Sequence, residues 1–340
     1  MRELIQIDKS LEESAEKEFN HRDYIINPKS INGDLDDFIS GKIPVGFSSG
    51  SHILDNYFVA KKNEFYIVTG KKGQGKTTIY QILQLMFSIT NGLIWAVAFQ
   101  ENSNWSMKYS LMNYLLNGYT NEIKKSNPKK YQIASDFIDK HFIFIKVDDI
   151  KTSTMVVKGL IDEGIDVHGL LLDPINSFKS GWYDTGNGYQ DGINTSLEML
   201  KFSKEVCALH ITQHPNMSGQ RQEGAVSSYQ AEGGWFLNKA HNTSAINRDY
   251  QGTSNPNSDG HWNMLSVENV RNKFTGGDQT ENANPVIIEW NPTYINIFMK
   301  DTPQIREDNV IGNLVSKYQI FGDNELHKPT LNEAFSDDMF

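Results

Sequence analysis

Residues 65–78 read FYIVTGKKGQGKTT, and they constrain this chain more than any other stretch. The apolar run Phe65-Tyr66-Ile67-Val68 suits a buried strand and stops at Thr69-Gly70. Gly70, four further residues, Gly75, Lys76 and Thr77 complete the pattern G-x-x-x-x-G-K-[ST]. From Thr78 onward, Ile79, Ile82, Leu83, Met86 and Phe87 recur at helical spacing. The motif therefore falls between a strand and a helix N-terminus, where phosphate is held. Gly70, Gly73 and Gly75 let the backbone turn so that successive N–H groups meet phosphate oxygens, with Thr78 in the first helical turn. Lys76 reaches the β- and γ-phosphates, and the Thr77 hydroxyl ligates Mg²⁺. The competing reading, a Gly-rich turn with chance lysines, leaves the strand and helix on either side unexplained.

A chain of 340 residues forms one large or two ordinary domains, and 38% hydrophobic content supplies a substantial core. No apolar run approaches a membrane span, and the N-terminus MRELIQIDKSLEES has alternating charges rather than a signal-peptide core. The single cysteine, Cys207, sits in the apolar run Val206-Cys207-Ala208-Leu209 and reads as a buried thiol. A reducing cytoplasm fits. The net charge of −10 argues against a broadly basic nucleic-acid-coating surface but leaves room for a local basic groove.

Residues 1–22 read as a short polar helix with little apolar surface, residues 27–33 as linker, and no second domain fits before Val45. The strand 93–99 (LIWAVAF) ends in Gln100-Glu101-Asn102. A carboxylate there lies on the ligand side of an α/β sheet, or else caps a helix. Helices are expected at 106–117 and 131–140, a strand at 141–147 and a helix at 154–163. Strand 170–173 closes on Asp173, 97 residues after Lys76, where it can hold Mg²⁺ through water beside Thr77. Residues 176–192 read as a long mobile loop, 195–205 as a helix, and 206–212 as a strand ending in Gln213-His214-Pro215-Asn216. A second flexible loop spans 217–234, with Arg221 its only strong cation. Strands follow at 243–247 before Arg248, at 264–269, 286–290 and 294–299, with a hairpin-like connection at 251–260. After Asp301 the pattern is lost. The expected fold is α/β, a P-loop core whose central, mostly parallel twisted sheet is flanked by helices. The expected domains are an N-terminal helix and linker over 1–44, the core over 45–300, and a tail with an acidic end over 301–340.

With these elements in order, the chain resembles the RecA-like motor domain of DnaB-type, superfamily 4 replicative helicases, above all the helicase half of phage helicase–primases. The resemblance covers residues 45–299. VGFSSGSHILDNYF looks like the lead-in to the first strand, GKKGQGKTT the Walker A loop, AFQEN the strand with the catalytic glutamate, and LLLDPINSF the Walker B strand. HITQHPN is similar to the strand whose polar end senses the γ-phosphate, VRNKFTGG to the segment presenting a trans-acting arginine finger, and EWNPT to the base-stacking segment. The resemblance implies ATP or another NTP with Mg²⁺. Lys76 and Thr77 would bind phosphate and metal, Glu101 would polarise the attacking water, Asp173 would support the metal, and Gln213 would report the γ-phosphate. Trp290 would stack on the base, with Arg248 beside it; alternatively Trp290 is core and Arg248 a strand-end surface cation. At the finger the family pattern is Lys-x-Arg, whereas this chain has Arg271-Asn272-Lys273, so either Lys273 or a shifted Arg271 would serve.

The implied function is a ring-shaped homo-hexameric helicase that moves on single-stranded DNA and unwinds a fork, in the cytoplasm of a bacterium or a phage-infected cell. Lys179, His214, Asn216 and Arg221, on loops 176–192 and 214–234, would hold strand phosphates in the channel. Primase and replicative polymerase would be separate chains, the polymerase meeting the tail LNEAFSDDMF through Phe340 and its acids. Two rival readings share the core: a RecA-like recombinase or mediator, and a non-motor ATP-binding scaffold whose finger has decayed.

Overall fold

The computed structural model describes residues 29, 32–40, 46–248, 261–270 and 285–322. The expected helix over 1–22, the connection 251–260, the finger residues Arg271 and Lys273, and the tail 331–340 lie outside the described residues. Residues 1–45 form one unit, in which α1 (Asn32–Ile39) is described, and residues 46–340 form a second.

The second unit is built on one ten-stranded sheet. Its parallel half comprises β1 (Phe65–Thr69), β2 (Ile94–Phe99), β3 (Phe142–Phe144), β4 (Val167–Asp173), β5 (Ala208–Gln213) and β6 (Asn242–Arg248). Its antiparallel half comprises β7 (His261–Val270), β8 (Val286–Asn291), β9 (Tyr294–Met299) and β10 (Arg306–Glu307). The order across the sheet is β10-β9-β8-β7-β6-β1-β5-β4-β2-β3. Strands β1, β4 and β5 are buried along their whole length, as strands covered on both faces must be, so they read as largely apolar, with His168 and His210 buried among them. One face of the sheet packs against α3 (Lys76–Asn91), α4 (Asn104–Leu116) and α6 (Pro128–His141); Tyr66 and Val68 point that way. The other packs against α7 (Ile150–Asp162) and α8 (Gly188–Glu205); Phe65 and Ile67 point there. Among the described residues no helix is long and apolar enough to cross a membrane.

Register aligns the strand ends that matter. Thr69 pairs with Gln213, and Phe99 with Asp173. The C-terminal ends of β1, β2, β4, β5 and β6 thus form a single edge, the place where ligands meet an open parallel sheet.

Four sequence expectations are corrected. The helix expected from 195 begins at Gly188, because Asn187 caps it by accepting from Gln190 N at 3.2 Å; the Gly-rich stretch hid this cap. The expected loop 217–234 contains α9 (Met217–Arg221), a 3-10 turn at Ser228–Gln230 and α10 (Gly234–Leu237). A short helix, α5 (Thr120–Ser126), lies where none was read. Finally, the core does not end near residue 300. β10 pairs with β9, and α11 (Val310–Lys317) buries Val310, Ile311, Leu314 and Val315 in the same cluster as α3 and α4.

Candidate nucleotide-binding site

The loop between β1 and α3 needs its glycines for distinct reasons. Gly73 and Gly75 have φ of +75° and +88°, which L side chains rarely adopt. Gly70 sits so close to β6 that a Cβ would lie 2.3 Å from the Ile246 carbonyl oxygen. Gly75 ends the loop at the head of α3, where no side chain caps the helix, so the first-turn N–H groups remain for an anion. Lys76 is buried; its Nζ donates to the carbonyls of Gly70 at 2.8 Å and Lys71 at 3.2 Å. Burial lowers its pKa, and the charges of Asp173 and Glu101 oppose that shift.

Asp173 ends β4 and is 3% exposed. One carboxylate oxygen accepts from Thr77 Oγ1 at 2.6 Å and the other from the Thr212 hydroxyl. Burial raises its pKa; the bonds from Thr212 and Thr77 and the charge of Lys76 pull it back, while Glu101 adds to the rise. The Thr77 hydroxyl and the Asp173 carboxylate are hard oxygen donors on adjacent elements. They suit a magnesium ion, which takes one or two protein oxygens and fills the rest with water and phosphate.

Glu101 follows β2 with its side chain 44% exposed, and Oε1 stands 3.7 Å from His214 Nε2. The N-cap position of α4 belongs to Ser103, so Glu101 is not the cap residue. Gln213 ends β5 fully buried, and neither its Oε1 nor its Nε2 has a partner among the described residues.

One cavity of about 360 Å³ is lined by Gly73, Gly75, Lys76, Thr77, Thr78, Glu101, Asp173, His214, Arg248 and Trp290. Residues from six separate stretches of sequence therefore meet in one place. At its far side the indole of Trp290 donates to Asn263 Oδ1 at 2.6 Å and meets Tyr114 edge-on at 6.1 Å. Trp290 thus packs on the core and borders the cavity at once. Arg248 is only partly exposed, and its Nε is buried without a partner among the described residues. Its backbone N donates to Gln74 Oε1 at 2.5 Å, and Asn263 Nδ2 donates to the Gln74 carbonyl. Gln74 and Asn263, which moor the phosphate loop to β6 and β7, went unread in the sequence. The position of Gln74 inside the motif's variable residues was the only available signal.

The proposed DNA contacts do not converge in the same way. Asn216 is occupied as the cap of α9, accepting from Gly219 N at 3.0 Å, so its side chain has a local task. His214 faces Glu101 and the cavity. Lys179 and Arg221 are exposed, Lys179 on a bridge to Asp149 and Arg221 at the end of α9.

No family model and no curated protein matches the sequence. Solved structures do match the fold. The ATPase domain of G40-P superposes with a TM-score of 0.59 at 11% identity, covering 77% of this chain and 93% of that one. A DnaB-like replicative helicase, solved to describe its interactions with primase, gives 0.56 at 11% identity. That match covers 78% of this chain but only 64% of the helicase, less than two thirds of its length. A ten-stranded sheet with its parallel half wrapped by helices, a complete phosphate loop at the sheet edge and these two superpositions together give this chain the RecA-like fold of the DnaB-type helicase ATPase domains.

Proposed function

We propose that this chain is an ATP-hydrolysing DNA helicase of the DnaB type. The observation that carries the reading is the convergence of Lys76, Thr77, Glu101 and Asp173 on one cavity at the sheet edge. In this reading the glycine turn, the α3 N-terminus and Lys76 hold the β- and γ-phosphates. Thr77 and Asp173 hold Mg²⁺, which neutralises charge on the phosphate oxygens. Glu101 accepts a proton from the attacking water as the bond between the γ-phosphorus and the β–γ bridging oxygen breaks. Trp290 and Arg248 border the base and ribose side. Gln213, whose amide has no hydrogen-bond partner among the described residues, sits at the end of β5 to report the loss of the phosphate to the segment that follows.

The finer assignment is a homo-hexameric ring in which Lys273 or Arg271 reaches the neighbouring protomer's nucleotide. Lys179, His214 and Arg221 contact single-stranded DNA, and the acidic tail tethers the replicative polymerase. The test is ATP hydrolysis with and without single-stranded DNA, run beside unwinding of a forked duplex. DNA-stimulated hydrolysis with unwinding is expected. Strand exchange without unwinding would indicate a recombinase, and nucleotide binding without hydrolysis a scaffold.

A further inference from the structure

The chain leaves β5 at His214, and the ends of the following excursion close on each other. Pro215 bridges Ala231, and Asn216 N donates to the Gln230 carbonyl at 2.6 Å. Beyond α9 the excursion is held from three directions. Asn247 on β6 accepts from Val226 N at 2.8 Å and donates to the Val226 carbonyl at 2.9 Å. Gln230 Nε2 donates to Gln222 Oε1 at 2.6 Å. The third tie comes from the phosphate loop itself. The ammonium of Lys71 donates to the carbonyls of Gln222 and Gly224, the latter at 3.1 Å.

Nothing in the phosphate-binding pattern asks for a lysine at this variable position. Its side chain does not line the nucleotide cavity, whose lining includes Lys72 and not Lys71. It lines instead a neighbouring cavity of about 370 Å³, with Lys72, His214, Pro215 and Gln220. Yet its backbone carbonyl accepts from Lys76 Nζ at 3.2 Å. The cation that meets phosphate and the carbonyls of residues 222 and 224 are therefore linked through one residue.

We propose that Lys71 is a latch that couples phosphate binding to the placement of residues 220–226. The proposal rests on the nucleotide-binding reading of the cavity. Phosphate oxygens compete for Lys76 Nζ, which gives up the Gly70 and Lys71 carbonyls. The loop then re-seats around the phosphates, and the Lys71 ammonium is drawn off Gln222 and Gly224. Those carbonyls belong to exposed residues, so water replaces the ammonium there. The Asn247 clamp persists at Val226, so the motion is confined to α9 and the turn after it.

Arg221 supplies the reporter, because trypsin cleaves after it only when the neighbouring backbone is free. The full chain is digested with and without a non-hydrolysable ATP analogue and Mg²⁺, and the peptide beginning at Gln222 is followed by mass. Analogue binding is measured in parallel by fluorescence titration. In the parent the analogue is expected to speed this cut roughly tenfold to a hundredfold, the scale of losing a charge-assisted hydrogen bond. Lys71→Met is expected to bind the analogue, to be cut at the fast rate without it and to show no further change; Lys71→Arg restores the dependence. Equal cutting of Lys71→Met and parent without the analogue overturns the latch. So does an unchanged cut in a parent shown to bind the analogue. Loss of analogue binding in Lys71→Met also overturns it, because Lys71 then belongs to the phosphate site. A parent that binds no analogue defeats the nucleotide reading itself, an outcome visible in the titration alone.

Discussion

Two buried carboxylates stand in the two halves of the sheet, and they are treated in opposite ways. Glu289, on β8 in the antiparallel half, is 5% exposed and fully served. It accepts from Trp262 Nε1 at 2.8 Å, Asn296 Nδ2 at 2.7 Å and Arg306 Nη2 at 2.9 Å. Arg306 also lies 5.0 Å from the Phe298 ring, so its cation is held in place. Asp173, in the parallel half, receives only two neutral hydroxyls, and burial dominates its titration. One acid has its counter-charge built into the fold. The other is left with neutral hydroxyl donors and, on the proposed reading, serves as a ligand at a cost in stability. The antiparallel half thus spends its buried polar groups on structure, and the parallel edge reserves its own for chemistry.

That contrast breaks if changes at the parallel edge unfold the protein, or if changes in the antiparallel half alter turnover. The largest effect is expected from Lys76→Ala: ATP hydrolysis falls about a thousandfold or more, with the unfolding midpoint little changed. Glu101→Gln comes next. Its amide cannot take the water's proton, so hydrolysis falls about a hundredfold or more while nucleotide binding in a filter or fluorescence assay persists. Turnover at the parent rate would remove Glu101 from the mechanism.

In the other half, Arg306→Met leaves Glu289 buried without its cation. A loss of about 2 kcal/mol in urea unfolding is expected, below the value for a fully buried pair because Arg306 is partly exposed. Hydrolysis per folded molecule stays the same. The smallest effect carries the sharpest sign. The folded-state pKa of Asp173 is raised, so the stability tied to its protonated form is complete below about pH 4 and is lost as pH rises through the raised value. Asp173→Asn avoids that loss. It should unfold at a higher temperature than the parent at neutral pH, with the gain vanishing in acid, while hydrolysis is abolished. A variant less stable than the parent at neutral pH would mean that Asp173 is structural, as Glu289 is.

The sequence showed the parallel half well because strands covered on both faces are mostly apolar, as β1, β2, β4 and β5 are. It showed Lys76 and Thr77 through the spaced glycine motif, and Glu101 and Asp173 through polarity at strand ends, because both signals are local. It hid α11, whose apolar face only makes sense against α3 and α4, elements more than 190 residues earlier. It also hid Asn263 and Gln74, since a buried amide that moors a loop has no local pattern to betray it. The cap role of Asn216 was hidden for the opposite reason: a polar residue after a strand suits a ligand contact and a helix cap equally well, and the helix lay just beyond.

The strand order also sets a schedule for synthesis. β1 is made early, but its two neighbours come late: Phe65 pairs with Leu209, 144 residues on, and Tyr66 with Asn242, 176 residues on. At ordinary rates of translation the finished phosphate-loop sequence waits roughly 10–35 s before β6 is made. Until β5 is made, the apolar run 65–68 has no lateral partner and is a hazard for association with other nascent chains. The same order protects the cell from fragments. A polypeptide terminated before β6 lacks Ile246 beside Gly70 and Arg248 beside Gln74, so it carries the motif without the scaffold that gives it shape. On the proposed reading, a chain terminated before β6 is therefore expected to bind nucleotide less well than the full chain.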